Sequence, residues 1–143
     1  MALESIPAYS RFRGRPVGHV YNEAAFKYFL AAERLRGQRS SRSMLLVLVS
    51  LRLSPGRSQP LKDNIASTIF TALEACVREV DFVGWYRQGR VAGAVLPQGA
   101  VASSELRSLI LKRILTSLRK SLPTDATRQL HVRGVRFGRK EHR

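Results

Sequence analysis

The chain has 143 residues, with 25 Lys plus Arg against 10 Asp plus Glu, a formal net charge of +15 and a single cysteine. At about 100–200 residues per domain this is one domain with short tails, long enough to bury a core without disulfides or metals. The lone Cys76 excludes an intramolecular disulfide, three scattered histidines leave no zinc module, and no apolar run approaches the roughly 20 residues of a membrane span.

The opening MALESIPAYSRFRGR carries Glu4 and lacks the apolar stretch of a secretory signal. The start at Met1 and the charged end are those expected of a complete product, and the whole reads as a soluble protein of a reducing compartment. An excess of positive charge repels itself in a compact fold. It therefore points either to a phosphate-bearing or acidic partner, or to arginine enrichment at neutral sites.

Residues 1–20 hold Pro7, Gly14, Pro16 and Gly18, with Arg11, Arg13 and Arg15 at alternate positions. Pro and Gly punctuate this stretch too often for a regular element, so it reads as a basic arm. Asn22 then caps a helix with Glu23 in its first turn, and Phe26, Phe29, Leu30, Ala32 and Leu35 keep helical spacing up to a stop at Gly37. Arg34 and Arg36 lie near its end, where cations favour the dipole.

Met44–Leu51, MLLVLVSL, is a short continuous apolar run that reads as a strand buried on both faces, followed by a Pro- and Gly-rich loop to Pro60. Ile65, Ile69, Leu73, Cys76 and Val77 form the stripe of an amphipathic helix of about 17 residues ending near Glu79. Cys76 on that stripe reads as a small buried hydrophobe rather than a reactive thiol.

DFVGWY (81–86) and VAGAVL (91–96), joined by Arg87-Gln88-Gly89-Arg90, make a hairpin, with Trp85 expected to fill the core. Ser103 or Ser104 caps the next helix, whose stripe is Leu106, Leu109, Ile110, Ile114, Leu115, Leu118 and Leu122. Arg107, Lys112, Arg113, Arg119 and Lys120 are interleaved as a basic surface. Gln129–Phe137 alternates as a last strand with Leu130, Val132 and Val135 inward, and the tail 138–143 is too charged to pack.

The order, one helix and then β-α-β-β-α-β, predicts an α+β fold. It is a ferredoxin-like antiparallel βαββαβ sheet with two helices on one face and an extra N-terminal helix. The domain spans residues 21–137, between the arm 1–20 and the tail 138–143.

The string YNEAAFKYFLAAERLRGQRSSRSMLLVLVSLR, followed by VREVDFVGWY and RVAGAVLP, resembles the GGDEF (diguanylate cyclase) domains of the nucleotide-cyclase-like superfamily over residues 21–137. That resemblance implies the same βαββαβ core, a bacterial cytoplasmic setting, signalling, and self-association. It also implies two divalent cations held by acidic residues at the end of the first strand and in the hairpin turn. Here the strand ends Val49-Ser50-Leu51-Arg52, and the turn reads Gln88-Gly89-Arg90 where the family has Gly-Gly-Asp-Glu-Phe. Hard cations need oxygen ligands, so the expectation is a degenerate turn with no metal, no cofactor, no catalytic residues and no cyclase activity.

Arg78 and Asp81 are similar to the family's Arg-x-x-Asp inhibitory motif, which implies a cyclic di-GMP site in which the arginine engages guanine or phosphate and the aspartate accepts guanine N–H groups. Two readings follow. The first is a non-catalytic signalling module that binds a protein partner, a second copy or cyclic di-GMP. The second is phosphate-driven nucleic-acid binding through Arg107, Lys112, Arg113, Arg119, Lys120 and the arginines of the arm, the last strand and the tail.

Overall fold

The computed structural model describes residues 9–12, 15–53, 56–98 and 104–138. Along the chain run β1 (Tyr9–Phe12), β2 (Arg15–Tyr21), α1 (Glu23–Ser40), β3 (Met44–Leu51), α2 (Asp63–Cys76), β4 (Phe82–Arg87), β5 (Val91–Pro97), α3 (Ser104–Ser121), α4 (Thr124–Gln129) and β6 (Leu130–Phe137). They build one sheet of order β1-β2-β4-β5-β3-β6. Within it β6-β3-β5-β4 is the antiparallel ferredoxin-like core, with β3 paired along its length to both β5 and β6.

Two strands enlarge that core. The stretch read as an irregular arm contains β1 and β2, and β2 joins β4 in parallel through Val20↔Val83 and Tyr21↔Gly84. The sheet is therefore mixed rather than wholly antiparallel. Pro and Gly weaken a strand's own propensity, but neighbouring strands supply the backbone partners that local sequence cannot announce. The expectations for residues 1–8, Arg13, Gly14, Ser103 and the tail from 139 lie outside the described residues.

Alternation along β3 explains its burial on both faces. Leu45, Val47, Val49 and Leu51 point into the larger core with Ile69, Phe70, Leu73, Trp85, Ala92, Ala94, Ile114 and Leu118, beneath α2 and α3. Met44 and Leu46 point the opposite way, into a smaller core with Phe26 and Val95 beneath α1. Phe26 lies over a paired Gly84↔Gly93, where a Cβ on either glycine would come within 2.8 Å of its ring.

Asn22 caps α1 as expected, accepting from the Ala25 N–H at 3.0 Å. The helix runs past Gly37 to Ser40, and its left-handed cap is Ser41, while the Arg42 N–H returns to the Gly37 carbonyl. A side chain at 37 would strike the Arg42 carbonyl, so this glycine serves the returning chain rather than the stop. Phe29 and Leu35, assigned to the buried stripe, are exposed because only one narrow side of α1 meets the sheet.

α2 ends at Cys76, three residues before the expected Glu79, with Cys76 half-buried against the core. On α3, Leu106 and Leu109 are exposed. Leu109 stands nine residues from Leu118, on the opposite side of the helix from that core contact. α4 is an unanticipated turn of helix after Pro123 that buries Ala126.

Candidate functional site

The smaller core does not reach the far end of its face. Where α1 stops covering the sheet, a cleft of about 560 Å³ opens between the C-terminal end of β3, the β4–β5 turn, β6 and the loop that follows β3. Its floor is Leu48, Ser50 and His131, because Ser50↔His131 and Leu48↔Arg133 are register partners that share this face. Arg52, Arg57, Arg87, Arg90 and Arg133 line it, and no described lining residue carries a carboxylate.

Local hydrogen bonds hold the walls. Gly89, at φ 76°, lets the turn close through the Arg90 N–H to the Arg87 carbonyl. The Arg90 guanidinium donates to the Ser58 carbonyl at 2.7 Å, and the Leu61 N–H donates to the Gly89 carbonyl, so loop and turn are pinned to each other. On the other side the Gln88 N–H donates to Glu23, whose own N–H donates to the Gln88 side chain, docking the start of α1 onto the turn. The Gln88 backbone bond and Lys27 hold the Glu23 carboxyl below its ordinary range.

The cleft is electropositive. None of its five guanidiniums forms an ion pair with a described carboxylate, although Arg87 acts on Glu23 from its own side of the turn. The Arg52 Nε is buried with no hydrogen-bond partner among the described residues. His131 titrates below the ordinary imidazole value of 6.5, first because burial disfavours its charged form and then because Arg52 and Arg133 repel it.

Arg78 and Asp81 sit elsewhere, at a cleft of about 200 Å³ between the end of α2, the start of β4 and α3. Asp81 has a fully buried side chain. It accepts from the Arg78 backbone N–H at 2.7 Å and from the Arg78 guanidinium at 2.8 and 3.1 Å. The same guanidinium donates to the Pro97 carbonyl at 2.5 Å and remains more than half exposed. Arg113, Leu106, Ile110 and Gln98 complete the wall, so a second guanidinium and an apolar ledge flank the pair.

The basic residues of α3 divide. At 100° per residue Lys112, Arg113, Arg119 and Lys120 share the outward arc, all exposed, whereas Arg107 falls on the side of Ile114 and Leu118 and is half-buried. This arc lies over the face opposite the five-arginine cleft. Gln88, Gly89 and Arg90 lie at that cleft as the turn. Arg57, Arg87 and His131 were missed as cleft residues. The two-residue spacing of His131 and Arg133 was the available signal on β6, but only the register brings them to Ser50 and Arg52.

Among the described residues no helix is long and apolar enough to cross a membrane, and no cluster of three or more His, Cys, Asp or Glu side chains could hold a metal ion. No protein-family model matches the sequence, and no curated protein matches it. Solved structures do. The FimX GGDEF domain from Pseudomonas aeruginosa superposes with a TM-score of 0.68 at 14% identity, over 96% of this chain and 85% of that one. The diguanylate cyclase SiaD, solved with its activator SiaC and from the same organism, gives 0.63 at 19% identity, over 94% of this chain and 51% of SiaD. The GGDEF domain of DgcB from Caulobacter crescentus, in complex with c-di-GMP, gives 0.61 at 12% identity, over 87% and 75%. Strand order, the covering of both sheet faces and these superpositions agree: the chain has the GGDEF-domain fold.

Proposed function

We propose that this domain is a non-catalytic GGDEF-fold module of bacterial signalling, working in the cytoplasm by binding cyclic di-GMP or a protein partner rather than by making a nucleotide. One observation carries the reading: the cleft between the end of β3 and the β4–β5 turn is lined by five arginines and no described carboxylate. A magnesium ion requires oxygen ligands, usually carboxylates. Guanidiniums have no lone pair to offer and repel the ion, so the described residues do not fit the two-metal chemistry of a cyclase.

Binding finds its support at Arg78. Its exposed guanidinium and that of Arg113 flank the apolar ledge of Leu106 and Ile110. Planar donor forks beside an apolar shelf suit a ligand that carries both phosphate and an aromatic base. Asp81 is saturated by Arg78, so in this reading it aims the arginine rather than accepting from guanine itself. The DgcB domain was solved with c-di-GMP and SiaD with a protein activator, precedents for both kinds of partner on this fold.

Titration calorimetry with cyclic di-GMP tests the nucleotide form of the reading. Binding by the wild type that weakens about tenfold in Arg113→Ala, as expected for a charge-assisted hydrogen bond, upholds it. No heat at saturating ligand leaves only a protein partner, sought by sedimentation with and without candidate proteins. Cyclic di-GMP formed from GTP and magnesium by the purified chain overturns the non-catalytic reading altogether.

A second reading rests on the outward arc of α3, where Lys112, Arg113, Arg119 and Lys120 are all exposed. It is phosphate-driven contact with nucleic acid, driven by counterion release and indifferent to base sequence.

A further inference from the structure

We infer that the five-arginine cleft on the α1 face of the sheet is a metal-independent binding site for the phosphate chain of a small polyphosphorylated ligand. It is a separate site from Arg78 and stands whether or not that site binds cyclic di-GMP. Three observations carry it.

The first is convergence. Arg52 and Arg57 from the loop after β3, Arg87 from the end of β4, Arg90 from the turn and Arg133 from β6 come from four segments of the chain to one concavity. Like charges repel on folding. A solvated surface would scatter them, whereas here the loop and turn that carry three of them are tied together by the Arg90–Ser58 and Leu61–Gly89 bonds.

The second is an unmet donor. Arg52 Nε is buried with no hydrogen-bond partner among the described residues, and an unmade hydrogen bond from a charged group is costly. An anionic oxygen seated over Ser50 and His131 would meet it, with the Ser50 hydroxyl as a further donor.

The third is size and lining. A cleft of about 560 Å³ lies in the range of small-molecule sites, roughly 300–1,000 Å³. Several guanidinium forks can bind a phosphate chain in bidentate fashion. No described acid of the lining competes for them. The arginines here supply directly the positive charge that a divalent cation would otherwise bring to a phosphate chain.

The probe is inorganic tripolyphosphate, titrated into the full chain in the presence of EDTA and again with magnesium. Because tripolyphosphate is no cyclase substrate, the result is independent of turnover. One equivalent bound in EDTA, with affinity unchanged or lowered by magnesium, is expected. Arg133→Glu should weaken it by about tenfold or more, from one lost charge-assisted bond and one added repulsion. Arg39→Glu, the same change of charge at the far end of α1, should not. Arg87→Gln, at an exposed position, repeats the test should Arg133→Glu fail to fold by circular dichroism.

Guanosine and adenosine triphosphates form a second arm. Affinity above that of tripolyphosphate identifies the ligand as a nucleotide, and equal affinity identifies the phosphate chain alone as what is recognised. No binding, binding that requires magnesium, or equal weakening by Arg133→Glu and Arg39→Glu would overturn the site.

Discussion

Phe26 is wholly buried, and its ring rests on two glycines that face each other across the β4–β5 ladder. A Cβ at Gly93 would stand 2.8 Å from its Cζ, and one at Gly84 2.7 Å from its Cδ1. The ring is walled in by Phe82, Met44, Leu46 and Val95, so it cannot swing aside. Gly93→Val should therefore lower stability by about 1–3 kcal/mol, the usual cost of overpacking. Phe26→Ala should cost about 3–5 kcal/mol from the opposite error, a cavity. Urea unfolding measures both. In the double variant the two penalties should fall short of their sum, because the valine then occupies the space the ring has left.

His131 offers a second residue-scale expectation. Burial, Arg52 and Arg133 hold its pKa below 6.5 in the fold, and Arg57, Arg87 and Arg90 face the same cleft. Between the folded value and 6.5 the unfolded chain binds the extra proton, so stability rises with pH across that window and is lost on acidification. His131→Asn should flatten this slope in thermal melts taken from pH 5 to pH 7.5. A bound phosphate chain offsets the repulsion from Arg52 and Arg133, so tripolyphosphate should raise the His131 pKa in an NMR titration.

At the scale of elements, what the sequence announced were the segments whose own pattern specifies them. MLLVLVSL has two apolar sides, and the structure uses both, one under α1 and the other under α2 and α3. The hairpin carries its turn glycine, and Asn22 its cap. β1 and β2 announced nothing, since Pro16 and Gly18 spoil any local preference and the parallel pairing with β4 comes from a partner more than 60 residues away. α4 has six residues, too few for a helical period to repeat. The extra helix was foreseen, but not its role. By running across the second sheet face from Gln88, where Glu23 docks it, α1 leaves uncovered the corner between the β4–β5 turn, the end of β3 and β6.

The cleft was legible only in part for the same reason. Arg90 could be read from the turn and Arg52 from the end of the strand. Arg57, Arg87, His131 and Arg133 meet them only through register and loop closure. Arg78 and Asp81 needed no such closure, because four consecutive residues hold the whole motif. The motif's spacing nonetheless gave no sign that Asp81 would be buried and saturated by its own arginine.

Across the whole molecule, two clusters of positive charge stand on surfaces turned away from each other: the five arginines of the cleft on the α1 face and the four exposed cations on the outward arc of α3 on the other. A small ligand can fill the first without touching the second, and a nucleic-acid backbone can lie along the second without entering the first. The two uses of charge are therefore separable. If the arc binds nucleic acid, the logarithm of affinity should fall linearly with the logarithm of salt, with a slope of about −3 to −4 for the four exposed cations. Lys112→Glu with Arg119→Glu should flatten that slope by about two and weaken every probe sequence alike. Arg133→Glu should leave it unchanged, and tripolyphosphate at concentrations that fill the cleft should not displace the probe. Fluorescence anisotropy with labelled duplex and single-stranded oligonucleotides measures all of these. Affinity that hardly changes between low and moderate salt, or that collapses in Arg133→Glu and survives in the α3 double variant, rules out the arc. In either case Lys112, Arg119 and Lys120 would then serve solubility, and recognition of phosphate would rest with the Arg78–Arg113 cleft and the five-arginine cleft on the other face of the sheet.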